Sequence, residues 1–191
     1  MVRRVAISGG PGGGKSTVAV ALQRELGERV IVVPEVATHL LGGFFPRIRS
    51  PEERRAVQRA IYHVQLSLEA VHRGRTGADT VLVFDRGLLD GAAYWPDGCE
   101  SFFEALCGDA EAARQSYDAV VFLESAAVGG LAIEGENPAR TEMRQEAVRL
   151  DGVLRQLWAP HPRFRFVAHT SSFEDKVAKA LSELRAVIAA E

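Results

Sequence analysis

The run Gly9-Gly10-Pro11-Gly12-Gly13-Gly14-Lys15-Ser16-Thr17 satisfies G-x-x-x-x-G-K-[ST] without a mismatch. Glycines tolerate positive φ, so such a run can turn its backbone N–H groups onto phosphate oxygens. Lys15 then reaches the β- and γ-phosphates of a nucleoside triphosphate, the Ser16 hydroxyl suits Mg²⁺, and Thr17 reaches the α-phosphate. Gly9, Pro11, Gly12, Gly13, Gly14, Lys15, Ser16 and Thr17 are therefore the expected nucleotide site. Two acids stand at the ends of other apolar runs. Asp85, after Val81-Leu82-Val83-Phe84, is expected beside Ser16 at the metal, or else caps the following turn. Arg86 follows it and either touches phosphate or pairs locally. Glu35, after Val32-Val33-Pro34, is placed to take the proton of a hydroxyl that attacks the γ-phosphate, or else caps the short helix after it.

The segment after Leu41 holds Gly42, Gly43, Phe44, Phe45 and Arg47. It reads either as a loop covering an acceptor or as a connector whose aromatics join the core. Gly129, Gly130 and Gly135 precede Arg140 and Arg144, which share a helical face if a helix starts at Arg140. Arginine near a helix start opposes the helix dipole unless an anion is present. A lid over residues 125–145, bringing Arg140 to the transferring phosphoryl group, is the expectation; a solvated helix start is the alternative.

These groups need strands to hold them at one edge. Strand-like runs occur at 4–8, 30–33, 80–84, 119–123 and 163–168, three of them nearly continuous apolar and β-branched, as strands buried on both faces of a parallel sheet are. Helical periods lie between them. Residues 15–26 follow the glycines, and 51–73 follow the start signal Ser50-Pro51-Glu52-Glu53, with Val57, Ile61, Val64, Leu68 and Val71 as the expected apolar face. Residues 101–116 read as helix broken near Gly108, 141–158 carry Ala147, Leu150, Leu154 and Leu157 on one face, and 173–189 close the chain. Alternating strands and helices predict an α/β three-layer fold with a five-stranded parallel sheet. Ligands of such sheets bind past the C-terminal strand ends.

At 191 residues the chain is expected to form one domain, 1–191. Its 23 Lys plus Arg against 25 Asp plus Glu give a net charge of −2, which supplies no drive toward nucleic acid. No apolar run approaches the ~20 residues of a membrane span. Two cysteines, Cys99 and Cys107, form neither a zinc pattern nor a disulfide framework, so a cytoplasmic setting is expected. Residues 101–116 fit an interface as well as a core, which leaves a homodimer open.

On Ile7–Thr17, Val32–Ala37, Phe84–Asp90 with Ala93-Tyr94, and Asn137–Glu142, the chain resembles small P-loop ATPases of the AAA-domain group allied to nicotinamide riboside kinase domains. It is more distantly similar to deoxynucleoside and thymidylate kinases. The resemblance implies a nucleoside-kinase-like fold with a helical lid, ATP and Mg²⁺ as cofactors, and the kinase roles on Lys15, Glu35, Gln65, Asp85-Arg86 and Arg140. In deoxynucleoside kinases Ser usually follows the acid–Arg pair; here it is Gly87. Gln65 is either an acceptor contact or part of a solvated helix face.

Two functions follow as expectations. The first is a Mg-ATP-dependent phosphotransferase acting on a small hydroxyl-bearing molecule, nucleoside-like or another metabolite. Lys15, Glu35, Arg86 and Arg140 would be catalytic, and Phe44, Phe45, Arg47, Gln65, Tyr94 and Arg144 would meet the acceptor. The second is a nucleotide-dependent switch without a small-molecule acceptor. No N/T-K-x-D guanine signature occurs, which favours adenine or a loosely selective base pocket.

Overall fold

The structure is a computed structural model and describes residues 3–77, 79–130 and 144–189. Five strands form one sheet: β1 (Arg3–Ser8), β2 (Val30–Val33), β3 (Val81–Asp85), β4 (Ala119–Leu123) and β5 (Phe164–Val167). Their spatial order is β2-β3-β1-β4-β5 and every pairing is parallel. The expected five strands and the α/β class are both present. All five residues of β3 and of β4 are buried, as the continuous apolar runs require.

Alternation along each strand divides the core into two layers. Val5, Ile7, Val81, Val83, Ala119 and Val121 face α1 (Lys15–Leu26) and, near the chain end, a helix over Phe173–Ala189. Ala6, Leu82, Phe84, Val120 and Phe122 face the opposite layer, which holds Tyr62, Leu89, Phe102, Leu154 and Trp158. Helices thus cover both faces.

After β2 comes a short helix, α2 (Val36–Leu41), and then α3 (Pro51–Arg75). The start signal of α3 works as read: Pro51 opens the helix, and Ser50 and Glu53 close a reciprocal capping box. Its buried face matches the expected apolar one only in part. Val57 is buried and Leu68 packs against the core, but Val64 and Val71 are exposed, and Gln58, Tyr62, Gln65 and Glu69 are buried beside them. The physical reason is the polar company below the helix. Glu69 accepts from Tyr117 Oη at 2.6 Å and from Gln65 Nε2 at 3.1 Å, and pairs with Arg4.

The stretch read as one broken helix is three pieces: α4 (Cys99–Phe102), a π turn over Phe103–Cys107, and α5 (Ala110–Gln115). Gly108 breaks it, with φ +70°, and Asp109 caps α5. Then α6 (Arg144–Trp158) precedes β5, and α7 (Phe173–Ala189) follows it. Most of the expected lid, Arg140 included, lies outside the described residues. Among the described residues no helix is long and apolar enough to cross a membrane.

Candidate active site

The C-terminal strand ends bring the chemistry-bearing residues to one edge. Past β1 the chain turns sharply: Gly9, Gly12 and Gly14 have φ of +139°, +71° and +86°. A Cβ on Gly9 would lie 2.1 Å from the Leu123 carbonyl oxygen, so the close approach of this loop to β4 requires glycine. Gly14 forms the N-cap of α1, whose free N–H groups and dipole favour an anion at this end. Lys15 is buried, and its Nζ donates to the carbonyls of Gly9 (2.7 Å) and Gly10 (2.8 Å).

Asp151 of α6 secures the loop from behind. Its Oδ1 accepts from Gly10 N (2.9 Å) and Ser125 N (2.8 Å), while Ser125 Oγ donates to the Pro11 carbonyl. Asp151 was absent from the expected site, although the sequence carried a signal: it falls at helical spacing between Ala147 and Leu154 on the apolar face of α6.

Ser16 Oγ donates to Asp85 Oδ2 at 2.5 Å, joining α1 to the end of β3. The other oxygen of Asp85 is buried with no hydrogen-bond partner among the described residues. Burial raises the Asp85 carboxyl above its ordinary value and Glu35 adds to this; Ser16, Lys15 and Arg86 oppose. Among the described residues no group of three or more His, Cys, Asp or Glu could hold a metal ion. An Asp–Ser pair does fit Mg²⁺, which retains waters and phosphate oxygens as most of its ligands.

Arg86 takes φ +83°, the one described non-glycine residue with positive φ, and its N–H donates to the Ile7 carbonyl at 3.0 Å. This backbone turn sends the side chain sideways to Glu35 and Asp90. Its Nε pairs with Glu35 Oε1, and Nη1 lies 3.4 Å from Asp90 Oδ2. The guanidinium stands 5.6 Å from the Tyr94 ring centroid. Burial works against the charge, but Tyr94, Glu35, Asp90 and Asp85 hold the guanidinium well above its ordinary value. Glu35 is fixed further by Thr38 Oγ1, donating to Oε2 at 2.6 Å. His39 Nδ1 lies 2.8 Å from the Glu35 carbonyl, so the bond needs that nitrogen protonated.

Asp90, the last residue of the Phe84–Asp90 segment, is the hub behind Arg86, accepting from Ser8 Oγ at 2.9 Å and Trp158 Nε1 at 2.7 Å. Burial raises its carboxyl. Trp158 also accounts for Gly87: a Cβ there would sit 2.5 Å from Trp158 Cζ2.

Glu35, Arg86 and Asp90 open into a cavity of about 1100 Å³ between α2, α3 and α6. Phe45, Arg47, Gln65 and Tyr94 of the expected acceptor set line it. Gln65 is buried rather than on a solvated face, and Gln58, Tyr62 and Phe102 were not anticipated there. Phe44 is 82% exposed and does not line the cavity. Arg144 does not line it either; its Nε donates to the Ala127 carbonyl at 3.3 Å.

A family profile described as an AAA domain matches residues 4–176. No curated protein matches the sequence. Among solved structures, the chain is similar to a deoxyadenosine kinase from M. mycoides with bound dATP. The likeness has a TM-score of 0.62 at 14% identity and covers 96% of this chain and 99% of that one. At that identity the likeness is one of fold.

Proposed function

From the premise that the chain belongs to this AAA-domain family, we propose that it is a Mg-ATP-dependent phosphotransferase acting on the hydroxyl of a small acceptor. The reading takes residues 1–191 as one kinase-like domain with a lid near 125–145, working in the cytoplasm. The observation that carries it is the placing of the Glu35–Arg86 pair. The pair borders a roomy cavity on one side, and on the other Arg86 directly follows Asp85, which is bonded to Ser16 of the glycine loop. A switch that only hydrolyses nucleotide has no need of such a cavity.

In this mechanism the backbone of Gly9–Gly14 and the start of α1 hold the triphosphate, with Lys15 turning from its carbonyl partners to the β- and γ-phosphates. Ser16 and Asp85 would hold Mg²⁺, which when bound would neutralise charge on the phosphate oxygens. The acceptor lies in the cavity with its hydroxyl at Glu35. As its oxygen bonds to the γ-phosphorus, the proton passes to Glu35 and the bond to the β–γ bridging oxygen breaks, releasing ADP. Arg86 and Arg140 stabilise charge on the transferring group. Arg86 also orients the base, its Nε pairing with Glu35 Oε1.

ATP consumption measured with and without a panel of ribosides and other small alcohols tests this. Turnover that depends on an acceptor, and is lost in Glu35→Gln with ATP binding intact, is expected. Acceptor-independent turnover unchanged in Glu35→Gln would transfer the assignment to a nucleotide switch.

A further inference from the structure

The cavity beside Glu35 is electrically lopsided. Its inner end holds Glu35, Arg86 and Asp90, none more than 8% exposed. At its mouth stand Arg47, Arg54 and Arg149, all exposed, with Glu146 the one acid lining that end. Three arginines against one glutamate leave the mouth at 3 − 1 = +2. Glu146 is already committed to Arg149, which it meets at 2.6 and 2.7 Å. It acts on Arg54 only at longer range. Neither Arg47 nor Arg54 forms an ion pair or a side-chain hydrogen bond with a described residue.

The neighbouring Arg55 shows the contrast. It pairs with Glu52 at 2.9 Å and Asp97 at 2.6 Å and does not line the cavity. Arg54 also sits in the opening turn of α3, whose acids are engaged elsewhere: Glu52 with Arg55, and Glu53 in the capping box with Ser50. At the inner end, Arg86 Nη2 is buried without a hydrogen-bond partner among the described residues, so a donor awaits an oxygen there as well.

We infer that the acceptor carries a phosphate group, which Arg47 and Arg54 bind at the cavity mouth while a hydroxyl at its other end meets Glu35. The inference rests on the phosphotransferase reading and names its substrate class. A phosphate monoester carries about −1.5 to −2 charges near neutral pH, which matches the mouth. Arginine forks take its oxygens in pairs, a geometry that a neutral sugar cannot repay. Gln58, Gln65 and Tyr62 between the two ends supply hydrogen-bonding and ring surface for the body of such a molecule.

Isothermal titration of the full chain, saturated with Mg-ADP so that the glycine loop is filled, tests this with matched pairs. The probes are ribose against ribose 5-phosphate, and uridine against its 5′-monophosphate. The phosphorylated member of each pair is expected to bind about tenfold more tightly, the size of one charge-assisted hydrogen bond. That advantage shrinks as salt is raised. The double variant Arg47→Ala/Arg54→Ala, both positions being exposed, brings the members of a pair within about twofold. Equal binding in the wild type, an advantage that survives the double variant, or no binding of any probe would overturn the inference. Binding is read without transfer, so the two claims fail separately. An arginine-dependent preference with no transfer to any probe once Mg-ATP replaces Mg-ADP sustains the phosphate site and removes the kinase reading. Transfer to neutral acceptors without a phosphate preference does the reverse.

Discussion

Replacing Asp151 with alanine should loosen the glycine loop before it touches any reacting group. Asp151 Oδ1 accepts two backbone N–H groups, Gly10 at 2.9 Å and Ser125 at 2.8 Å, and the residue is 3% exposed. Deleting the acceptor strands two buried donors at about 1–3 kcal/mol each. Part of that gross 2–6 kcal/mol is returned, because burial already holds the Asp151 carboxyl above its ordinary value and the folded state no longer has to bury a charge. A net loss of about 2–4 kcal/mol remains. At about 2–4 °C per kcal/mol for a chain of this size, the melting temperature should fall by about 5–15 °C. Asp151→Asn keeps an oxygen acceptor without the charge and should stay within about 1 kcal/mol of the wild type. Thermal melts of the three proteins, with and without Mg-ADP, read both effects, since a displaced Gly10 also reduces the stabilisation by nucleotide. An alanine variant as stable as the wild type, or an asparagine variant as damaged as the alanine, would refute the reasoning.

Glu35→Gln should lower the acceptor-dependent turnover number by about 10²–10⁴ while ATP affinity holds, measured by initial rates and nucleotide titration. Gly9→Ala sets a Cβ against the Leu123 carbonyl at 2.1 Å and should abolish the rise in melting temperature with Mg-ADP. An undiminished rise would contradict the loop geometry. Burial raises Asp85, Asp90 and Asp151 alike, so the folded protein holds protons that the unfolded chain has released. Stability from these groups is present in acid and is lost as pH rises from the ordinary aspartate value through their raised values. Urea unfolding across a pH series should show a shallower decline in Asp90→Asn than in the wild type, and parallel slopes would count against it.

The sheet and the glycine loop were legible because their signals are local. Continuous apolar runs mark β3 and β4, and the G-x-x-x-x-G-K-S spacing needs only the strand and helix that flank it. Glu35 and Asp85 were legible for the same reason, each sitting at a strand end. The support around them was not. Asp90 and Asp151 act through partners 68 and 141 residues away, Trp158 and Gly10, and no local pattern announces such pairs. The buried face of α3 was legible only at Val57 and Leu68, because periodicity weighs apolar residues. Here tertiary partners, Arg4 and Tyr117 above all, turned the polar line of Gln65 and Glu69 inward. Likewise the positive φ of Arg86, which aims its side chain at Glu35, is imposed by the packing around it rather than by the residue type.

The central claim is that phosphoryl transfer occurs from the glycine loop to a hydroxyl beside Glu35. Following the label of γ-labelled ATP, with wild type and Glu35→Gln in parallel and a panel of hydroxyl-bearing acceptors, addresses it directly. The account predicts label in the acceptor with the wild type and almost none with the variant. Label found only in inorganic phosphate, at equal rates in both proteins, would contradict it.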